Sequence, residues 1–281
     1  MGLLYLVPTP LGNLEDITLR ALRVLSEVQL VATEDTRTTG RLLKHYEISC
    51  PLLSYHEYNE AARIEQMLAA LNEGDVALVS EAGMPLFSDP GHKLVQAAIE
   101  HGITVVALPG PSALTAALPA SGLAVDGFSF FGFLPRKAKA RRDFLTGVAT
   151  LKHTLVFFEA PHRLVASLAD MADVLGKIRS IAVCRELTKL HEEIWRGTLA
   201  EAWQEWQERP PRGEFTLVVS GAPQLDPAWK EQQVVTALTE MIQAGSGTKA
   251  AAQTVADQSG WSKKELYKIA QEVKKDVSFK K

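Results

Sequence analysis

Over roughly the first 120 residues one order recurs: a short unbroken apolar run, a polar or Gly/Pro-rich turn, then a stretch with apolar residues three and four apart. Residues 3–7 are the first such run, and Pro-Thr-Pro-Leu-Gly-Asn at 8–13 is a rigid turn after it. Residues 16–25 place Leu19, Leu22 and Leu25 at helical spacing, with Asp16 as the expected N-cap. Residues 28–32 read as a buried strand ending in the polar cluster Thr33-Glu34-Asp35-Thr36-Arg37, and residues 38–45 as a helix. Ala61, Ile64, Met67, Leu68 and Leu71 form another helical stripe, stopped by Gly74. Val-Ala-Leu-Val at 76–79 reads as a strand buried on both faces, and the loop 80–91 after it is the stretch around which the chain is organised. In that loop Asp89 before Pro90 is the expected start of a helix with Leu94, Val95, Ala98 and Ile99, ending at Gly102. Residues 103–108 read as a strand running into Pro109-Gly110-Pro111-Ser112-Ala113, a turn that opens a helix of small residues. Strands and helices alternating with connections of this length predict a mostly parallel sheet.

The periodicity lapses around residues 119–126, where a boundary is expected. Beyond it, residues 128–133, 154–158, 181–184, 193–197 and 215–219 read as strands. A helix with Leu164, Leu168, Met171 and Leu175 inward and one bearing Trp203 and Trp206 lie among them. The close spacing of the later strands predicts a mixed, more antiparallel sheet. Residues 222–230 read as a linker, and the remainder as helices with a turn at Ser259-Gly260 and a capping box from Ser262 to Glu265. The expected class is therefore α/β: two α/β subdomains, 1–120 and 121–222, followed by a small helix-turn-helix-like module, 223–281.

The chain has 281 residues, enough for more than one core. It has no run of about 18 apolar residues, and its first eight residues lack the basic start of a signal peptide. Cys50 and Cys184 fit no metal or redox spacing, so both are expected to be structural thiols in a reducing cytoplasm. A formal charge of −3 argues against non-specific coating of a polyanion, although a local basic face remains compatible with it.

No dinucleotide fingerprint, phosphate-loop lysine motif, zinc-protease helix or nucleophile elbow is present, and metal catalysis is not expected. What recurs is a polar or Gly/Pro loop after successive strands, at 8–13, 33–37, 80–85, 109–113, 159–163 and 185–189. Each alone is ordinary turn chemistry. Together, at strand ends of an α/β sheet, they predict one shared crevice for a flat, polar, mid-sized ligand. Arg136, Lys137, Lys139, Arg141 and Arg142 put five cations in seven residues, either a phosphate-contacting segment or a solvated helix start. Lys263, Lys264, Lys268, Lys274 and Lys275 invite the same two readings in the last helix. Asp35 with Arg37, and Arg185 with Glu186, set acid beside base, for substrate positioning and hydroxyl deprotonation or as structural ion pairs.

An ordered set of motifs runs along nearly the whole chain: Val-Pro-Thr-Pro-Leu-Gly-Asn-Leu at 7–14, Glu-Asp-Thr-Arg at 34–37, Ser-Glu-Ala-Gly-Met-Pro at 80–85, Ser-Asp-Pro-Gly at 88–91 and Pro-Gly-Pro-Ser-Ala at 109–113. Gly-Phe-Leu-Pro at 132–135, Pro-His-Arg at 161–163, Arg-Glu-Leu-Thr-Lys at 185–189 and Gly-Glu at 213–214 complete it. The set resembles the ribosomal small-subunit methyltransferase I family, the 16S rRNA cytidine 2′-O-methyltransferases, within the tetrapyrrole-methylase-like class of S-adenosylmethionine enzymes. The resemblance implies a homodimer acting on 16S rRNA of the small ribosomal subunit at its decoding centre, with S-adenosylmethionine in the cleft between two α/β subdomains. It implies cofactor contacts from Pro10, Ser80, Glu81, Ala82, Gly83, Pro85, Ser112 and Ala113, and from Glu159, Glu186 and Leu187. Asp35, Arg37, Arg185, Glu186 and Lys189 are then the candidates for substrate alignment, and the 136–142 cations for phosphate binding. Two departures stand out: Glu81 and Met84 where the family pattern has Asp and Thr, and Ala160 where it has Ser. The rival readings are a methylase of tetrapyrroles and a non-catalytic nucleic-acid-binding regulator.

Overall fold

The computed structural model of the protein describes residues 1–223, 229–244 and 246–279, without the side chains of Asp257 and 276–279. Two compact units result, Met1–Ala222 and Pro223–Lys281. Residues 224–228 of the linker expected at 222–230 lie outside the described residues.

The first sheet is built from β1 (Leu4–Val7), β2 (Leu30–Thr33), β3 (Leu52–Ser54), β4 (Val76–Val79) and β5 (Val105–Ala107). All four pairings are parallel, in the order β3-β2-β4-β1-β5. Five helices connect and flank them: α1 (Leu19–Glu27), α2 (Thr36–His45), α3 (Glu60–Glu73), α4 (His92–Glu100) and α5 (Ala113–Ser121). Every strand of a parallel sheet ends on the same edge, so all five polar loops after these strands emerge together. The central strand β4 is buried throughout, as its uninterrupted apolar run requires.

The second sheet, β6 (Phe128–Phe133), β7 (Thr154–Glu159), β8 (Ser180–Arg185), β9 (Glu193–Thr198) and β10 (Phe215–Val219), is mixed. Its order is β6-β7-β10-β8-β9, parallel only between β6 and β7. Three helices accompany it, α6 (Ala138–Val148), α7 (Leu164–Leu175) and α8 (Leu199–Glu208). Leu164, Leu168, Met171 and Leu175 all face its core, beside Trp206 and Phe157. In the second unit α9 (Glu231–Gln243), α10 (Thr248–Ser259) and α11 (Lys263–Phe279) close around Val234, Leu238, Ala252, Val255 and Leu266. Among the described residues no helix is long and apolar enough to cross a membrane.

Two local expectations are corrected, and one strand is added. Asp16 does not cap α1; it ends a single 3-10 turn, and Thr18 caps the helix by accepting the Ala21 N–H at 3.1 Å. Ala21, Val24 and Leu25 form the inward stripe of the helix, and Leu19 is exposed. Asp89-Pro90 does not open α4. Gly91 is its N-cap at φ +131, where its N–H donates to the buried Glu60 carboxylate at 3.1 Å. A Cβ at 91 would lie 2.6 Å from Leu78 Cδ2, so both the backbone and the space require glycine. Strand β3 was not legible: three residues are too few to show a period, and the strand exists by pairing with the free edge of β2.

Between α6 and α7, Arg141 places two nitrogens 2.7 Å from Asp170 Oδ2, with the two side chains only 6% and 12% exposed. Removing one partner of such a pair leaves the other charge buried alone. Asp170→Ala is expected to cost about 3 kcal/mol in urea unfolding, whereas the double variant Arg141→Met with Asp170→Leu recovers most of it. A double variant no more stable than Asp170→Ala would contradict this account.

Candidate active site

The loops after β1, β4 and β5 meet the ends of β6 and β7 and the start of β10 around a cavity of about 320 Å³. Because β10 runs antiparallel to β7, with Phe215 opposite Glu159, its first residues lie beside the end of β7. Apolar walls come from Leu11, Met84, Phe87, Phe133 and Phe158, and polar groups from Glu81, Ser88, Asp89, Ser112 and Glu214. The aromatic wall is continuous: Phe133 meets Phe158 at 5.8 Å, Phe158 meets Phe130 at 4.8 Å and Phe130 meets Phe87 at 6.0 Å.

Backbone pairing fixes the β4 loop against the β1 loop. Thr9 and Gly83 exchange both backbone hydrogen bonds, at 3.0 and 2.8 Å. The Thr9 hydroxyl donates to Ser80 O at 3.1 Å, and the Ser80 hydroxyl to Gly83 O at 2.9 Å. Gly83 sits at φ +81, and a Cβ there would lie 3.1 Å from Leu11 Cδ2. Further on, Leu86 and Ser88 both hold φ +73 on either side of Phe87, a conformation uncommon for such residues and seen where surrounding structure enforces it. A break in the β6–β7 register between Phe130 and Phe133 turns the end of β6 toward this loop.

The cavity is acidic. Burial, then the charges of Glu34, Asp35 and Glu214, push the Glu81 carboxyl above its ordinary value. Burial, then Glu34 and Glu81, push Asp89 up to about 7. Neither carboxylate has a cationic partner among the described residues. A cation entering the cavity would relieve both, so the donor set fits a ligand that joins positive charge to a flat apolar part.

A second cavity of about 360 Å³ adjoins the first and shares Glu81 with it. It lies between the β1 turn (Thr9, Pro10, Gly12 and Leu14), Ser80 and one face of α2.

Residues 3–202 match the family of Tetrapyrrole (Corrin/Porphyrin) Methylases. The protein named Ribosomal RNA small subunit methyltransferase I from Synechocystis is 45% identical over 98% of this chain and 100% of its own. Its namesake from Escherichia coli O157:H7 is 46% identical over 96% of this chain and 95% of its own. The chain belongs to the ribosomal RNA small subunit methyltransferase I family. Among solved structures, uroporphyrin III C-methyl transferase from Thermus thermophilus aligns with a TM-score of 0.57 at 21% identity, over 78% of this chain and 97% of that one. The methyltransferase CobJ aligns at 0.60 and 19%, over 79% and 95%. These two likenesses concern the fold alone.

In this family member the residues singled out from sequence fall into three groups. Glu81, Ala82, Gly83, Ser112, Ala113 and Glu159 line the first cavity, and Pro10, Ser80 and Glu81 the second. Pro85 and Leu187 line neither; Leu187 packs with Leu114 and Leu118. Glu159 faces the cavity, but Ser167 Oγ and the Ala160 N–H donate to it at 2.5 and 2.8 Å, and Arg163 lies 3.3 Å away.

The acid–base pairs expected to align substrate are engaged structurally. Asp35 caps α2 by accepting the Arg37 N–H at 2.8 Å and pairs with the exposed Arg37 side chain. Arg185 donates to Arg212 O at 2.8 Å and faces Glu193 at 3.4 Å. Lys189 bridges Glu186 at 3.0 Å and Glu214 at 2.9 Å. Its stem fills the space above Gly12, where a Cβ would lie 2.2 Å from Lys189 Cγ, and so ties the two subdomains beside the cavity.

The basic segment is also corrected. Arg141 is buried on Asp170, and Arg142 reaches Asp170 at 2.9 Å and Asp173 at 3.1 Å, so acids on α7 claim both. Arg136, Lys137 and Lys139 stay exposed. Sequence reasoning missed Asp89 as a site carboxylate, because it was read as a helix start. It also missed Phe87, Phe133 and Phe158, whose only signal was their position at strand ends and in the organising loop.

Asp89 yields a pH prediction. Its folded pKa lies above the unfolded value, so the native state holds the proton more tightly. Stability contributed by that proton is present at low pH and is lost as pH rises toward about 7. The melting temperature of Asp89→Asn is expected to fall less between pH 5 and 8 than that of the wild type; parallel curves for the two proteins would refute the assignment.

Proposed function

We propose that this protein transfers a methyl group from S-adenosylmethionine to a ribose 2′-hydroxyl of a cytidine in 16S rRNA, at the decoding centre of the small ribosomal subunit. The observation that carries this reading is near full-length likeness to relatives named for small-subunit rRNA methylation, joined to an acidic cavity with aromatic walls. On the same resemblance we read the protein as a cytoplasmic homodimer.

S-adenosylmethionine supplies an electrophilic methyl group on a positively charged sulfur. Glu81 and Asp89 place negative charge where that cation would sit, and the Ala82–Gly83 backbone allows close approach. Phe87, Phe133 and Phe158 offer apolar aromatic surface to the flat part of such a ligand. Methyl transfer of this kind depends mainly on alignment of acceptor oxygen, methyl and leaving sulfur, which rigid loops at strand ends provide. Glu81 lies at the junction of the two cavities, and its raised pKa suits it to take the proton that the hydroxyl releases.

A tetrapyrrole substrate is the second reading, supported by the solved structures that share the fold. Against it, the tetrapyrrole methylase match ends at residue 202, whereas the Synechocystis relative matches 98% of this chain.

The test is transfer of labelled methyl from S-adenosylmethionine to small subunits, and to deproteinised rRNA, from cells lacking this protein. Label on a ribose 2′-oxygen of one cytidine is the expected result. Label in neither RNA, with cofactor binding shown by calorimetry, would overturn the rRNA assignment. Cofactor affinity is expected to weaken by up to about tenfold from pH 8 to pH 6 as Asp89 takes a proton, and to stay flat in Asp89→Asn.

A further inference from the structure

Helix α2 reads Thr-Arg-Thr-Thr-Gly-Arg-Leu-Leu-Lys-His: four basic-type side chains and no acid. Thr38, Arg41, Leu42 and His45 are three and four apart, so they share one face, and that face is a wall of the second cavity. Arg37 on the same helix is held by Asp35. Arg41 has no hydrogen-bond or ion-pair partner among the described residues. The wall is anchored at both ends. Thr39 and Thr33 share a buried hydroxyl hydrogen bond of 2.6 Å, locking the helix to β2. His45 rests edge-on against Tyr46 at 4.8 Å, and the Tyr46 hydroxyl donates to Leu14 O at 2.6 Å, binding the helix end to the β1 turn on the opposite wall. The cavity therefore runs from an unpaired guanidinium and an imidazole at one side to the Glu81 carboxylate that it shares with the first cavity.

An anionic group beside a hydroxyl is the chemistry this polarity accommodates: anion on Arg41 and His45, hydroxyl toward Glu81. A ribose-phosphate unit has both. We propose that the second cavity receives the acceptor strand, with Arg41 and His45 holding a backbone phosphate of single-stranded RNA and the adjoining ribose directed to Glu81. This rests on the methyl-transfer reading above and names the acceptor side of that same site. It also moves phosphate recognition toward α2, since α7 engages two of the five cations at 136–142. The other anion that could reach Arg41 is the carboxylate of an amino-acid-bearing cofactor, and the experiment separates the two.

Arg41→Gln, Arg41→Lys and the wild type are compared with small subunits from cells lacking the protein. Arg41 is exposed, so the variants should fold, as thermal melting would verify. For Arg41→Gln, subunit affinity is expected to fall about tenfold and the slope of log affinity against log salt to flatten by about 0.7. The KM for subunits should rise with kcat little changed, cofactor affinity by calorimetry should not move, and Arg41→Lys should restore the slope. Unchanged subunit affinity and slope in Arg41→Gln would overturn the proposal. So would a tenfold loss of cofactor affinity with RNA binding intact, which would assign the cavity to the cofactor carboxylate. A wild type that binds subunits with the Arg41-dependent slope but transfers no methyl would sink the proposed function and support this inference.

Discussion

The paired backbone hydrogen bonds between Thr9 and Gly83 are the constraint on which the site depends. They join the loops of two adjacent parallel strands beyond the end of the sheet, where no ladder would otherwise hold them. Ser80 and Glu81 lie inside the tie, which holds the Glu81 backbone where its exposed side chain lines both cavities. Only glycine meets the demand at 83, at φ +81 and with Leu11 close by. The buried hydroxyls of Thr9 and Ser80 add to the tie by donating to Ser80 O and Gly83 O.

Charge in this site is arranged against the ordinary preference of a folded protein. The charges of Glu34, Asp35 and Glu214 raise the Glu81 carboxyl and those of Glu34 and Glu81 raise Asp89, each after burial, and the nearby cations neutralise neither of these two acids that face the first cavity. Lys189 is occupied with Glu186 and Glu214, and Arg37 with Asp35. A protein selected for stability alone would pair such groups or remove them, so their persistence points to a ligand that balances them. The strained backbone at Leu86 and Ser88 belongs to the same account, because it holds Phe87 at the cavity wall.

How much of this could be read from the sequence follows from the range of the interactions. Strands β1 and β4 and helices α3 and α7 were legible because burial alone sets their patterns. The meeting of the 8–13, 80–85 and 109–113 loops followed from parallel topology, whereas no residue of 33–37 or 185–189 lines either cavity. What escaped depends on partners distant in the chain. The start of α4 is set by Glu60, thirty-one residues before Gly91. The stripe of α1 is set by its packing with Val7, Val31, Leu43 and Val79 from other elements. Arg141 and Arg142 looked like a phosphate-binding run until α7 brought Asp170 and Asp173 to them. Conversely, Arg41 and His45 belong to no motif, and only the fold sets them across a cavity from Glu81.

The two cavities together imply a division of labour that neither shows alone. An acidic pocket attracts a cationic donor and repels a polyanion, so RNA phosphates would be excluded from the first cavity by Asp89 and Glu81. A strand held by cations on the α2 side would reach Glu81 only with its uncharged ribose. On the proposed reading that geometry would favour the sugar over the phosphate at Glu81. The phosphate contact would, on the same reading, fix the position of the strand and carry no sequence information.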